Sequence, residues 1–223
     1  MVIDYTGSLK EIARITDLWC EDGIDAGGLV SVAEIALRAG SRYVAVPASC
    51  VNMMWSWLEG KGIEILGIID AKNFKEQRAN SKEQIGIDSR LAEQIHSVLK
   101  KGADAVILPG SAEMISALLP VRHDLFFEKK LFMTIDLESL SAYIWPDIFH
   151  DLKKINVDGI ILFATGANAT GKIYGMLSAA PMDFTGKIMV LSDSPEVMEN
   201  ALRLMQKIRP ELAGNLRFFV NRS

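Results

Sequence analysis

The feature that most constrains this chain is a repeat of unit length: eight short apolar runs recur along its 223 residues, each followed by a polar or amphipathic stretch. They fall at 12–15 (IARI), 43–46 (YVAV), 63–69 (IEILGII), 105–108 (AVIL), 131–135 (LFMTI), 159–163 (GIILF), 188–191 (IMVL) and 216–220 (LRFFV). Such runs are too short for globular helices and read as strands buried on both faces, which is what a parallel sheet demands. Each unit takes roughly 28 residues, enough for a strand, a helix and two short loops. Eight units predict an α/β chain folded as one TIM (β/α)8 barrel over residues 1–223, since an open doubly wound sheet usually needs only five or six strands.

The intervening segments carry helix signals. Over 88–101, Leu91, Ile95, Val98 and Leu99 lie on one face, and Gly102 follows as a C-terminal cap. Ser194-Pro195-Glu196 supplies an N-cap hydroxyl, a proline at the first helical position and an acid in the first turn, ahead of a stripe of Val197, Ala201, Leu204 and Ile208. Further helices are predicted over 31–39, with Ser31 as cap and Gly40 past the end, and over 146–155, opened by Pro146. The stretch 73–87 is the one long polar connection.

Charge narrows the function classes. With 24 Lys+Arg against 28 Asp+Glu the net charge is −4, and the lysine pairs at 100–101, 129–130 and 153–154 stand isolated. That gives no clustered positive track for nucleic acid. Charges break the first 25 residues, and no uninterrupted apolar run reaches the roughly 18 residues of a membrane span. A cytoplasmic protein without membrane contact is expected. Cys20 and Cys50 alone make neither a disulfide framework nor a multi-cysteine metal site. His96, His123 and His150 fall on helices or before strands, away from the expected site. Met53, Met54, Trp55 and Trp57 cannot all face inward from one helix, and no helix follows the last strand; both features predict a homo-oligomer.

Several segments, in order, resemble the deoxyribose-phosphate aldolase family of class I aldolases. They are ITDL (15–18), YVAVP (43–47), GADAV (102–106), DGIILFATG (158–166) with NAT (168–170), and RF (217–218). The resemblance spans nearly the whole chain and implies an aldolase-type barrel that cleaves a small sugar, phosphorylated or free, without a cofactor. The departures are chemical. Aligned on Thr165-Gly166, the family's Schiff-base lysine falls on Leu162, its second lysine on Val190 or Leu191, and its strand-four aspartate on Ile107. The implied protein is a divergent member without the standard lysines.

Barrel enzymes work at the C-terminal ends of their strands. There, Lys72 is the candidate substitute amine, with Asp70, Asp136 and Asp17 as proton-relaying acids. The same three acids, from strands one, three and five, are alternatively a site for Mg²⁺ or Mn²⁺. Substrate binding is expected from Thr165 and Asn168 after strand six, Ser192 and Ser194 after strand seven, and Asn221 and Arg222 at the chain end. Asp193 opposes a phosphate there. The competing expectation is a non-catalytic phosphosugar-binding or scaffold barrel.

Overall fold

A computed structural model describes residues 5–70, 89–126, 129–138, 145–164 and 168–222. The strands are Thr16–Cys20 (β1), Tyr43–Pro47 (β2), Glu64–Ile68 (β3), Ala105–Pro109 (β4), Lys130–Asp136 (β5), Gly159–Phe163 (β6), Lys187–Leu191 (β7) and Leu216–Arg222 (β8). Each runs parallel to its neighbours, and β8 pairs back onto β1 from Thr16↔Phe218 to Cys20↔Arg222, closing the TIM barrel that the repeat predicts.

The first strand departs from its expected place. Residues 12–14 close a helix, Tyr5–Arg14 (α1), Ile15 is a turn residue, and the strand is TDLWC. Its first two residues read as polar, yet Asp17 is 0% exposed because its partner, Arg217, comes from β8. A four-residue apolar run does not by itself distinguish helix from strand.

Among the described residues the crossovers are Ala26–Ala39 (α2), Val51–Leu58 (α3), Ser89–Lys100 (α4), Ala112–Leu118 (α5), Arg122–Phe126 (α6), Trp145–Lys154 (α7), Ala169–Ala179 (α8), Pro195–Ile208 (α9) and Pro210–Ala213 (α10). α2 begins five residues before the expected Ser31. Asp25 is its cap, accepting from the Gly28 amide at 2.7 Å, and Gly40 ends it in the left-handed conformation at φ 66°. α9 starts as its sequence dictates, with the Ser194 hydroxyl accepting from the Val197 amide.

Alternation along the strands separates two cores. Leu18, Val46, Val106, Leu162 and Val190 face outward into the layer beneath the helices. Inside, Trp19, Leu66, Phe132 and Met189 from odd strands stack against Ala45, Ile107, Ile161 and Phe219 from even ones. Four-residue layers from alternate strands are the packing rule of this fold. Gly159 leaves the space that the Phe132 ring fills: a Cβ there would lie 2.5 Å from a ring carbon.

Candidate functional site

At the C-terminal ends of the strands lies a cleft of about 530 Å³. Its floor is apolar, formed by Trp19, Phe163 and Leu191, and its rim carries Glu21, Ser192, Asp193, Ser194 and Asn221. Trp19 meets Phe163 and Phe219 edge-on, with centroids 5.3 and 5.7 Å apart. A second hollow of about 350 Å³ shares Trp19 and Phe163 and extends to Asp22, Asp70, Ile107 and Thr134. The mouth therefore offers an aromatic floor under a rim of hydroxyls, carboxylates and one amide. Its volume is that of a small-metabolite site.

The structure groups some of the sequence-predicted residues and separates others. Ser192, Ser194 and Asn221 share the main cleft, and Arg222 ends β8 beside it, exposed. Asn168 precedes α8, its side chain folded over Gly171. Asp70 lines the second hollow, and Asp136 ends β5, accepting from the Glu138 amide at 2.9 Å. Lys72 and Thr165 lie outside the described residues.

Asp17 must be removed from the set. With β1 at Thr16–Cys20 it sits at the N-terminal end of the barrel, opposite the cleft. Its carboxylate accepts from Arg217 Nε at 2.5 Å and Nη2 at 2.9 Å and from the Arg42 and Tyr43 amides at 2.8 and 2.9 Å. It cannot relay protons for, or share a cation with, Asp70 and Asp136. Among the described residues no three His, Cys, Asp or Glu side chains cluster in a way that would hold a metal ion.

Of the positions that the resemblance aligns with lysines, Leu162 and Val190 point outward and Leu191 points inward. The inward positions nearest the mouth on β6 and β7 are Phe163 and Leu191, and Ile107 faces inward on β4. All three are apolar. Among the described residues, the lysines within strands are Lys130 and Lys187, each the first residue of its strand and thus at the far end.

The rim is held by its own hydrogen bonds. Ser192 Oγ accepts from the Ser194 amide at 3.1 Å, Asp193 accepts from the Asn221 amide at 2.9 Å, and Asn221 Nδ2 donates to Glu21. Asn221 Oδ1 is shielded from solvent without a partner among the described residues. Asp193 thus places a carboxylate beside the amides that open α9, where a phosphate would otherwise dock. Burial, then the neighbouring Cys50, pushes the Cys20 thiol up to about 12, which makes it inert at neutral pH.

One further contact escaped the sequence reading. Lys172, in the first turn of α8, donates to Glu138, two residues past β5. Adjacent strand exits bring the two together across 34 residues, a pairing that no local sequence signal marks.

The fold defines a TIM barrel with a cleft at the strand C-termini. No family profile matches the chain, and no curated protein matches it in sequence. In structure it is similar to a protein of Toxoplasma gondii ME49 provisionally assigned as a deoxyribose-phosphate aldolase, with TM-score 0.72 and 14% identity over 96% of this chain and 90% of that one. It is also similar to the tetrameric deoxyribose phosphate aldolase of Aeropyrum pernix, at 0.68 and 10% over 96% and 88%. A citrate synthase, SbnG, aligns at 0.58 and 12% over 98% and 90%. At such identities the likeness is one of fold, and the fold hosts more than one chemistry.

Proposed function

We propose that the chain is a divergent aldolase-like carbon–carbon lyase acting on a small sugar, phosphorylated or free, at the C-terminal mouth. The observation that carries this reading is the 530 Å³ cleft, with hydroxyl, amide and carboxylate groups above an aromatic floor, in a barrel shaped like the deoxyribose-phosphate aldolases. Such a rim suits hydrogen bonding to sugar hydroxyls, while Trp19 and Phe163 suit stacking against a sugar face. Ser192, Ser194, Asn221 and Arg222 bind the substrate, together with Thr165 and Asn168 at the exit of β6. The amine is Lys72, assisted by Asp70 and Asp136, with Lys172 and Glu138 as the second amine–acid pair at the mouth.

Borohydride trapping with a panel of small aldehydes and ketones, free and phosphorylated, tests this, with the adduct located by peptide mapping. A stoichiometric adduct on Lys72 or Lys172 is expected. Absence of any adduct rules out the amine-dependent lyase and leaves the second reading, a non-catalytic sugar-binding barrel. That second reading is favoured by one observation, the apolar inward positions Ile107, Phe163 and Leu191.

We also place the protein in the cytoplasm as a homo-oligomer. No described helix is long and apolar enough to cross a membrane. Val30 and Leu37 on α2 and Met53 and Trp55 on α3 are exposed, whereas Met54 is buried. Light scattering on the purified chain gives the subunit number.

A further inference from the structure

We propose that the N-terminal end of the barrel is a second ligand site, which takes a small dianionic oxyanion such as phosphate or the phosphate group of a monoester. The site is independent of the function proposed for the mouth.

Strand alternation puts charged residues on the barrel axis at this end. Asp17, Glu64, Lys130 and Lys187 share the inward face of their odd-numbered strands with Trp19, Leu66, Phe132 and Met189, one layer below them. Arg217 enters from β8, and Arg42 from the residue before β2. Among the described residues this floor holds four cations and two carboxylates.

Both carboxylates are already committed. Asp17 is taken by Arg217 and two backbone amides. Glu64 receives Lys130 at 2.5 Å and Arg42 at 3.8 Å. Lys187 donates only to a neutral partner, Asn215 Oδ1, at 2.9 Å. Among the described residues Lys187 is therefore the cation of this floor without an acidic partner, and the four cations exceed the two carboxylates by two.

Two of the cations also share one aromatic ring. The guanidiniums of Arg42 and Arg217 lie 5.3 and 5.5 Å from the centroid of the same ring, Tyr43, which is 1% exposed. The Lys187 ammonium is held below the ordinary lysine range by burial, then by Arg42, Arg217 and Lys130. Like charges gathered on a partly dry surface raise the free energy of the empty floor. A neutral side chain at 187 would serve packing alone better. Forked guanidiniums beside ammonium groups are the donor set that recognises a tetrahedral oxyanion, and the excess of two positive charges matches its two.

The test is calorimetric melting near neutral pH, in chloride and in inorganic phosphate at equal ionic strength, of the wild type, Lys187→Met and Arg222→Met. Methionine keeps the length of the lysine stem and removes the charge. At a hundredfold excess over its dissociation constant, phosphate is expected to raise the wild-type midpoint by roughly 5–10 °C. In chloride, Lys187→Met is expected to melt at or above the wild type, and phosphate is expected not to raise it. Arg222→Met, at the opposite end, keeps the full shift. Glycerol 3-phosphate in place of phosphate separates the sources: an equal shift marks free phosphate, a larger one a phosphorylated metabolite. No phosphate shift in the wild type overturns the proposal. So does an equal shift in Lys187→Met, or a shift lost in Arg222→Met and kept in Lys187→Met.

Discussion

Asp17→Asn removes one negative charge from the barrel floor and almost no volume. The carboxylate accepts four hydrogen bonds, two from Arg217 and one each from the Arg42 and Tyr43 amides, all between 2.5 and 2.9 Å and fully shielded from water. An asparagine keeps one acceptor and turns an amino group toward donors, leaving Arg217 without the one carboxylate it meets among the described residues. Breaking a buried pair by removing one partner costs about 3–5 kcal/mol. For a chain of this size that lowers the melting midpoint by roughly 6–20 °C. Urea titration followed by circular dichroism reads the cost directly, provided the slope is unchanged. Arg217→Met in the same chain removes the stranded cation, so the double variant should regain about 2 kcal/mol over Asp17→Asn. A loss below about 1 kcal/mol, the range of exposed pairs, would refute the buried-pair reasoning. So would a double variant no more stable than the single one. Loss of lyase activity at native stability would return Asp17 to the catalytic set.

Further outcomes follow from packing and ionisation. Gly159→Ala drives a methyl to 2.5 Å from the Phe132 ring and 2.8 Å from the Lys187 carbonyl, so it should cost about 1–3 kcal/mol in urea, whereas Gly214→Ala meets nothing within 4 Å and should be neutral or slightly stabilising. With the Cys20 thiol raised to about 12 from 9.0, iodoacetamide at mildly alkaline pH should label Cys50 well before Cys20. Because the folded value lies above the unfolded one, this thiol's contribution to stability is complete below pH 9. It fades as pH rises from 9 through about 12, and a Cys20→Ala variant should lack that alkaline loss.

The barrel was legible because its signal is local and repeated. Short apolar runs such as ILGI in β3 or LFM in β5, or the Ser-Pro-Glu start of α9, need no knowledge of the rest of the chain. The candidate site was less legible, since its contacts are distant in sequence. Asp17 looked like a mouth residue because IARI is more apolar than TDLWC, and nothing near it announces an arginine 200 residues away. Asp25, not Ser31, caps α2, and the poor helix formers Gly27 and Gly28 hide that first turn in the sequence. Lys172 and Glu138 belong to different crossovers and meet only because β5 and β6 are neighbours.

The outward turn of Leu162 says where this scaffold is able to evolve. A residue on a closed barrel has a parity, and only one parity reaches a ligand; Leu162 and Phe163 are neighbours in the chain but belong to different compartments. A lysine at 162 would bury an ammonium between sheet and helices and threaten the fold. At 163 it would open into the cleft, at the cost of one edge-on contact with Trp19. Adding an amine to the sixth strand of this barrel, by selection or by design, therefore has its address at Phe163.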